Sequence, residues 1–370
     1  MNKNIEIKEV VTNKDIRLFI QFSRKLYSNC PYYVPSLEAD DITTLQHHPA
    51  HAFCDMRMWL AFKNGKIVGR IAGIINHKYN AIQNKKRIRF GWFDAIDDYE
   101  VFQLLFQTVE KWGKEVADEI SGPSRFSNME KQGLLIEGFD KIPPIPAEYN
   151  YPYYANYIEK LGYQKEVDYL QYRVKIKATP TKIKELNNYI TNKYNVKLKK
   201  FSNKKEMKHY AKLMFDALNK SYKDIYNFIP LEDKEIDFLI KNNFSFIDKD
   251  LVTVLLDKND ELIGFSLCVP SLSKAFQKAK GKLFPFGWYH ILKAIKKNTI
   301  VDMYLTGLVP AWSGTGIHIL YHSYLNDVFI KKGFVYADTT QQLEDNTAHK
   351  IWNKYESEIT FKRRCYVKQL

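Results

Sequence analysis

Cysteine is scarce in this chain. Its four residues, Cys30, Cys54, Cys268 and Cys365, form no CxxC pair, so neither a zinc site nor a disulfide framework is expected, and all four read as reduced, mostly buried thiols. No apolar run approaches the roughly 20 residues that a membrane-spanning helix needs. The N-terminus, MNKNIEIKEV, has no apolar core of the kind a secretory signal carries, and a cytoplasmic protein is expected. Helix-turn-helix, RNP and metal-finger patterns are missing, which leaves DNA without a reader. No Lys-Ser or Lys-Thr follows the glycines of the one Gly-rich turn, and the full GxGxxG fingerprint is absent, so a Walker loop and a dinucleotide fold are set aside. His318 and His322 stand i, i+4 without the Glu of HExxH. They and the cluster His47, His48 and His51 read as structural, with no metal expected.

What the chain has is length and aromatic bulk. Its 370 residues exceed one usual core, and two domains of somewhat under 200 residues each are expected. Hydrophobic residues make up 45% and aromatics 15%, with 25 Tyr and 23 Phe, which fits a folded globular protein with aromatic walls. The net charge of +14 favours polyanionic partners: nucleic acid, an anionic membrane surface or a phosphorylated cofactor. Charge alone does not choose among them.

One plan runs through the chain twice. Polar turns separate apolar strands in WLAFKNGKIVGRIAGII (Trp59 to Ile75) and in LVTVLLDKNDELIGFSLCV (Leu251 to Val269), each a predicted hairpin. An Asn then precedes a helix and a last Tyr-rich strand, Asn150 before LQYRV and Asn346 before RRCYV. The near-constant offset predicts two halves of one fold. Each reads as strand, one or two helices, hairpin, long strand, helix, strand, helix, strand. Apolar spacing predicts helices from about Tyr99 to Val116 and from His318 to Lys332, the second closed by Gly333. Pro180 and the residues after it predict a linking helix. The expected division is 1–178, a linker over 179–195, and 196–370.

The segment TGLVPAWSGTGIHIL, Thr306 to Leu320, is a strand that opens into a Gly turn and then a helix. Gly314 and Gly316 let successive N–H groups point into one hollow, and the helix N-terminus adds its partial positive charge. An anion such as a diphosphate suits that turn. An ordinary strand-to-helix turn is the alternative.

With the following strand and LEDN (Leu343 to Asn346), this order resembles the GNAT superfamily of acyl-CoA N-acyltransferases. GPSRFSNMEKQGLLIEGFD (Gly122 to Asp140), YNYPYY ending at Tyr154, LFPFGW (Leu283 to Trp288), FGWFD and YVPSLEAD (Tyr33 to Asp40) further resemble a two-domain GNAT group that includes bacterial ceramide synthases. The resemblance runs from about Phe19 to Tyr366. It implies an α/β (α+β) fold of two tandem GNAT-like domains, each a mixed, mostly antiparallel sheet flanked by helices. It also implies acyl-CoA as co-substrate, with Val309, Gly314, Thr315, Gly316 and Asn346 at the positions that hold it. Two departures stand out: Ala311 where the turn usually starts with Arg or Gln, and Asn353 where many such enzymes have Tyr. The first half has only DAIDDYE between Phe93 and Val101. Its acidic residues would repel a diphosphate, so one CoA per chain is expected and the first half is left to shape the acceptor pocket.

Amide formation needs a free amine, a polarised thioester carbonyl and a proton for the leaving thiolate. Glu130, directly before the apolar QGLLIEGF segment, is the first choice of base and Asp94 the second. The alternative for each is a carboxylate that caps a helix or pairs with Lys. Tyr149 and Tyr153, with Tyr154, either line the acceptor pocket or pack against the Pro-rich loop. The segment 274–297 sets seven Lys among bulky apolar residues, which suits either a peripheral membrane contact and lid or a helical insertion with exposed lysines. The leading expectation is an acyl-CoA-dependent N-acyltransferase acting on a primary amine, with a long-chain sphingoid base as the acceptor that the resemblance suggests. The alternatives are an aminoacyl-tRNA-dependent transferase of cell-wall synthesis, disfavoured because the CoA turn persists, and a non-catalytic acyl-CoA or lipid binder.

Overall fold

The computed structural model describes residues 5–244 and 247–370. The first half runs β1 (Ile5–Glu9), α1 (Asn13–Leu26), α2 (Glu38–His47), β2 (Cys54–Lys63), β3 (Lys66–Asn76), α3 (His77–Gln83), β4 (Arg87–Ala95), α4 (Tyr99–Gly113), β5 (Glu119–Gly122), β6 (Leu134–Glu137), α5 (Tyr153–Lys160) and β7 (Gln164–Lys175). The linking helix α6 (Thr181–Tyr194) follows. Then come β8 (Lys197–Lys199), α7 (Lys204–Ser221), α8 (Asp233–Asn243), β9 (Val252–Leu256), β10 (Leu262–Pro270), α9 (Ser273–Ala279), α10 (Gly287–Lys296), β11 (Ile300–Leu308), α11 (His318–Lys331), β12 (Tyr336–Thr339), β13 (Gln342–Leu343) and β14 (Ser357–Gln369). The segment after Asn346 is a 3-10 turn, Thr347–Lys354, where a helix was expected.

Local chemistry sets these elements. Thr12 and Asp15 form a reciprocal capping box at the start of α1, and the Asp98 side chain caps α4. The apolar stripe of α4 buries Val101, Leu105 and Val109 against Trp59, Ile71 and Phe90 of the sheet. In the second half, α11 presents Ile317, Leu320 and Tyr321 to Leu255, Ile263 and Ile190 of α6.

The two expected sheets are one. Its order is β1-β2-β3-β4-β5-β14-β7-β12-β11-β10-β9-β8. The last strand of each half has crossed over: β14 lies beside β5 of the first half, and β7 beside β12 of the second. The two exchanged strands pair antiparallel with each other, from Ser357 opposite Val174 to Val367 opposite Gln164. Neither half's strands complete a sheet without the other's terminal strand. The crossing is secured by charge as well as by backbone bonds. Asp168 on β7, its side chain fully buried, accepts from Nε and Nη2 of Arg364 on β14 at 2.7 and 2.9 Å, with Lys165 and Lys362 at 3.2 and 3.4 Å.

A second polar link lies between the halves. Arg87, 1% exposed, bonds Glu119 at 2.7 Å and Glu166 at 2.5 Å, and Tyr226 of the second half donates to Glu166.

Burial alone would raise the pKa of Asp168, but Arg364 and Lys165 hold it below the ordinary carboxylate value. Its contribution is therefore present above about pH 4 and is lost as the pH falls through the lowered pKa. Replacing it, Asp168→Ala, strips three cations of their partner and should cost about 3 kcal/mol in urea unfolding at pH 7. The difference from the parent chain should shrink on acidification below about pH 4.

Candidate active site

Strands β11 and β12 run parallel from Ile300 opposite Tyr336 to Met303 opposite Thr339, then part. The parting follows a bulge. Leu305 pairs with Leu267 and Met303 with Cys268, which leaves Tyr304 as the extra residue; bulges of this kind bend a strand and re-aim its side chains. Beyond the parting, the Thr340 amide and hydroxyl still reach the carbonyls of Met303 and Tyr304. A wedge opens between the strands from there.

At the far end of β11 stands the glycine turn. Gly314 and Gly316 have φ of 76° and 81°, a region glycine enters without strain. A Cβ built on Gly314 would meet nothing within 4 Å, so the turn is open on that side. The amides of Gly314, Gly316 and His318 have no partner among the described residues, whereas those of Ser313 and Thr315 bond back to Pro310 and Trp312. Three free donors at the head of a 14-residue helix fit an anion. Val309 is committed differently: its N–H donates to Ile263 at 2.8 Å and its carbonyl accepts from Trp312 at 2.9 Å. That residue's own amide is thus held within the sheet, not turned toward a ligand.

Glu130 lies on the first-half loop between β5 and β6, and that loop borders the wedge. Met129 packs against the same second-half core cluster that Leu305 and Val309 pack against. Gln341, one residue past Thr340, donates to the Gln132 carbonyl at 2.8 Å. The Glu130 carboxylate accepts from the Phe126 amide at 3.1 Å and sits 3.1 Å from His48 Nε2. The Ala50 amide donates to His48 Nδ1, which leaves the ring proton on Nε2, pointed at Glu130. Burial raises the Glu130 pKa to about 7 even though Arg125 and the Phe126 amide pull it down. His48 is lowered by burial, and by His51, to about 4. A neutral imidazole therefore orients a carboxylate that changes charge near neutral pH, the condition a general base requires.

The other sequence-selected residues fall into four places. Asp94, Tyr149 and Tyr153 gather in an aromatic cluster around Tyr27. Asp94 accepts from Tyr27 at 2.8 Å on one oxygen and from Arg70 at 2.8 and 2.6 Å on the other, so both oxygens are engaged. Tyr149 donates to the Phe139 carbonyl and Tyr153 to the Ala95 carbonyl. Thr315 spans the turn, its hydroxyl donating to Trp312 at 2.6 Å. Asn346 closes the LEDN turn after β13, its amide bonded to Leu343. His318 and His322 have ring centres 6.0 Å apart, and burial lowers the His322 pKa to about 3.

The equivalent wedge of the first half is filled. Strands β4 and β5 pair only from Arg87 opposite Glu119 to Arg89 opposite Ser121. The chain after β5 then folds into the gap: the Ser124 amide donates to Phe90 at 2.9 Å, and Arg89 Nη1 donates to the carbonyls of Arg125 and Phe126. A Cβ on Gly91 would stand 2.5 Å from the Ser124 carbonyl. Only glycine admits this plug.

No protein-family model matches the chain. Protein YghO of Escherichia coli (strain K12) is 27% identical over 98% of this chain and 95% of its own. The bacterial ceramide synthase of Caulobacter vibrioides (strain NA1000 / CB15N) is 26% identical over 80% of this chain and 77% of its own. A solved tandem GNAT protein from the clavulanic acid biosynthesis pathway matches with a TM-score of 0.56 and 11% identity, over 99% of this chain and 98% of that one. The chain has a tandem GNAT fold. Within that GNAT frame, the second domain carries an open wedge and glycine turn, while the first carries a plugged wedge.

His48, Tyr304 and Gln341 escape a reading of the sequence. His48 stands in a run of three histidines that reads as structural, and Tyr304 becomes distinctive only through the bulge. Gln341 lies in the polar run TTQQ, Thr339 to Gln342, which carries no signal of its own beyond polarity.

Because the folded pKa of Glu130 is raised, its neutral form is favoured by folding. That contribution is full below about pH 4.5 and is lost as the pH rises through about 7. The stability gap between the parent chain and Glu130→Ala should widen by about 2 kcal/mol from pH 8 to pH 5.5. Paired urea titrations at the two pH values measure it; an unchanged gap removes the raised pKa.

Proposed function

We propose that the chain is an acyl-CoA-dependent N-acyltransferase whose reaction takes place where the β11–β12 wedge meets the Glu130 loop. The observation that carries this reading is the hydrogen bond from Gln341 to Gln132, which sets the mouth of the wedge against the loop of the base. In this reading the amides of Gly314, Gly316 and His318, with Thr315, hold the CoA diphosphate. Asn346 contacts the pantetheine arm along the wedge. The first domain supplies the base and the acceptor wall.

Above pH 7 the Glu130 carboxylate takes a proton from the acceptor amine, His48 holding its orientation through Nε2–H. The amine nitrogen bonds to the thioester carbonyl carbon, the carbon–sulfur bond breaks, and the proton passes on to the departing thiolate, leaving an amide and free CoA. Holding both substrates in one cleft supplies much of the acceleration. Asp94, fixed by Arg70 and Tyr27, maintains the first-domain wall and stays out of the proton path.

For the acceptor we infer a long-chain amine of the sphingoid class. Support comes from the motifs shared with the ceramide synthase-like group and from the Caulobacter relative of that name.

Incubation with acyl-CoA and sphinganine should release thiol and form amide, with kcat/KM rising through about pH 7 to a plateau. Glu130→Gln should lower kcat at least about a hundredfold and flatten the rise. Gly314→Val with Gly316→Val should weaken CoA binding in calorimetry at least about tenfold. Absence of amide product across chain lengths and amine classes overturns the proposal.

A further inference from the structure

We infer that the α9–α10 insertion is a docking surface for an anionic lipid bilayer, with Phe284 and Phe286 as the inserted groups. The inference stands apart from the acyl-transfer reading, since it rests on surface chemistry alone.

The insertion is rigidly mounted. It leaves the second domain after β10 and lies on the first, burying Phe276 and Ile291 against Val34 and Leu37, with Ile142 and Ile145 beside them. Ser273 donates to the Pro143 carbonyl at 2.7 Å, Gln277 donates to the Pro31 and Tyr33 carbonyls, and the Glu38 amide donates to Gly281 at 2.9 Å. These bonds consume the inner face. The outer face has no such partners.

Its apex is apolar and bare. Phe284 is 77% exposed and Phe286 70%, on either side of Pro285, with Trp288, Tyr289 and Leu292 also exposed on the first turns of α10. Phe284 and Phe286 are the most exposed aromatic side chains among the described residues. Trp288 Nε1 donates to the Pro285 carbonyl at 2.9 Å, so its one polar atom is satisfied inside the apex. Exposed apolar side chains on a braced support gain by leaving water.

The rim around the apex is cationic. Residues 274–297 hold seven Lys and no Asp or Glu. All seven lysines are exposed, and none forms an ion pair among the described residues. Elsewhere the surface commonly pairs its lysines with carboxylates, as at Lys175 with Glu356 and Lys332 with Asp248. Unpaired lysines around protruding rings match an anionic headgroup layer over an apolar interior. Nucleic acid would satisfy the lysines and leave two phenyl rings and a leucine in water. A protein groove would need no uniform positive charge. Helices long and apolar enough to span a bilayer are absent among the described residues, so contact is with one leaflet.

The surface also borders the cleft. Gly281 of the insertion lies against Ser36, and Lys131, next to Glu130, donates to the Ser36 hydroxyl at 2.9 Å. A lipid held at the apex is thereby near the loop of the base.

The test is co-sedimentation of the full chain with vesicles of phosphatidylcholine alone or with about 30 mol % phosphatidylglycerol, at about 0.1 M and about 0.5 M salt. Binding should require phosphatidylglycerol and fall at least about tenfold at the higher salt. The double variant Phe284→Ser, Phe286→Ser and the triple variant Lys293→Gln, Lys296→Gln, Lys297→Gln should each lose at least about tenfold in binding. Both should keep the parent circular dichroism spectrum and melting curve. The inference is overturned if the anionic vesicles leave the chain in the supernatant, or if the Phe variant sediments like the parent. Tighter binding of a single-stranded RNA than of the anionic vesicles, unaffected by the Phe variant, overturns it too.

Discussion

The ion pair between Asp168 and Arg364 sits near the middle of the β7–β14 ladder, and the architecture turns on that ladder. A terminal strand from each domain completes the sheet of the other, so the two domains share one continuous sheet. Backbone pairing alone would tolerate a slip of the two long strands. A fully buried carboxylate among Arg364, Lys165 and Lys362 does not, because a shift of one residue carries it to the opposite face and leaves charge without a partner. Charge here fixes register, and register fixes how the wedge of the second domain meets the loop of the first.

That meeting explains the division of labour. The glycine turn and the splayed strands belong to the second domain, while Glu130, His48 and the insertion's support belong to the first. A carboxylate on a connecting loop would ordinarily be well solvated and ionise near its usual value. Burial raises it into the physiological range, with His48, packed against Phe238 of the second half, as a neutral donor on one side. The surroundings of the proposed base thus draw on both halves.

Much of this was readable from residue order. Alternation and apolar spacing located the hairpin around Asn64, α4 and α11, and Gly314 and Gly316 marked the turn by their chemistry. The exchange was not readable. LQYRV and RRCYV are alike in composition, so nothing local distinguishes a strand that returns to its own sheet from one that crosses to the other. The continuity of the sheet depends on contacts separated by nearly 200 positions, such as Asp168 with Arg364. Asp94 shows the complementary gap. An acid that ends a strand reads equally as a base or as a buried partner, and only the positions of Arg70 and Tyr27 decide between them.

The plug in the first domain is mechanically tied to Glu130. Gly91 lets the Ser124 carbonyl approach to where a side chain would stand, and the same loop continues through Phe126, which caps Glu130, to Glu130 itself. Reopening that wedge would move Phe126 and, with it, the amide that holds the Glu130 carboxylate. A substitution that clears the first wedge therefore also disturbs Glu130. Plug and carboxylate move as one piece.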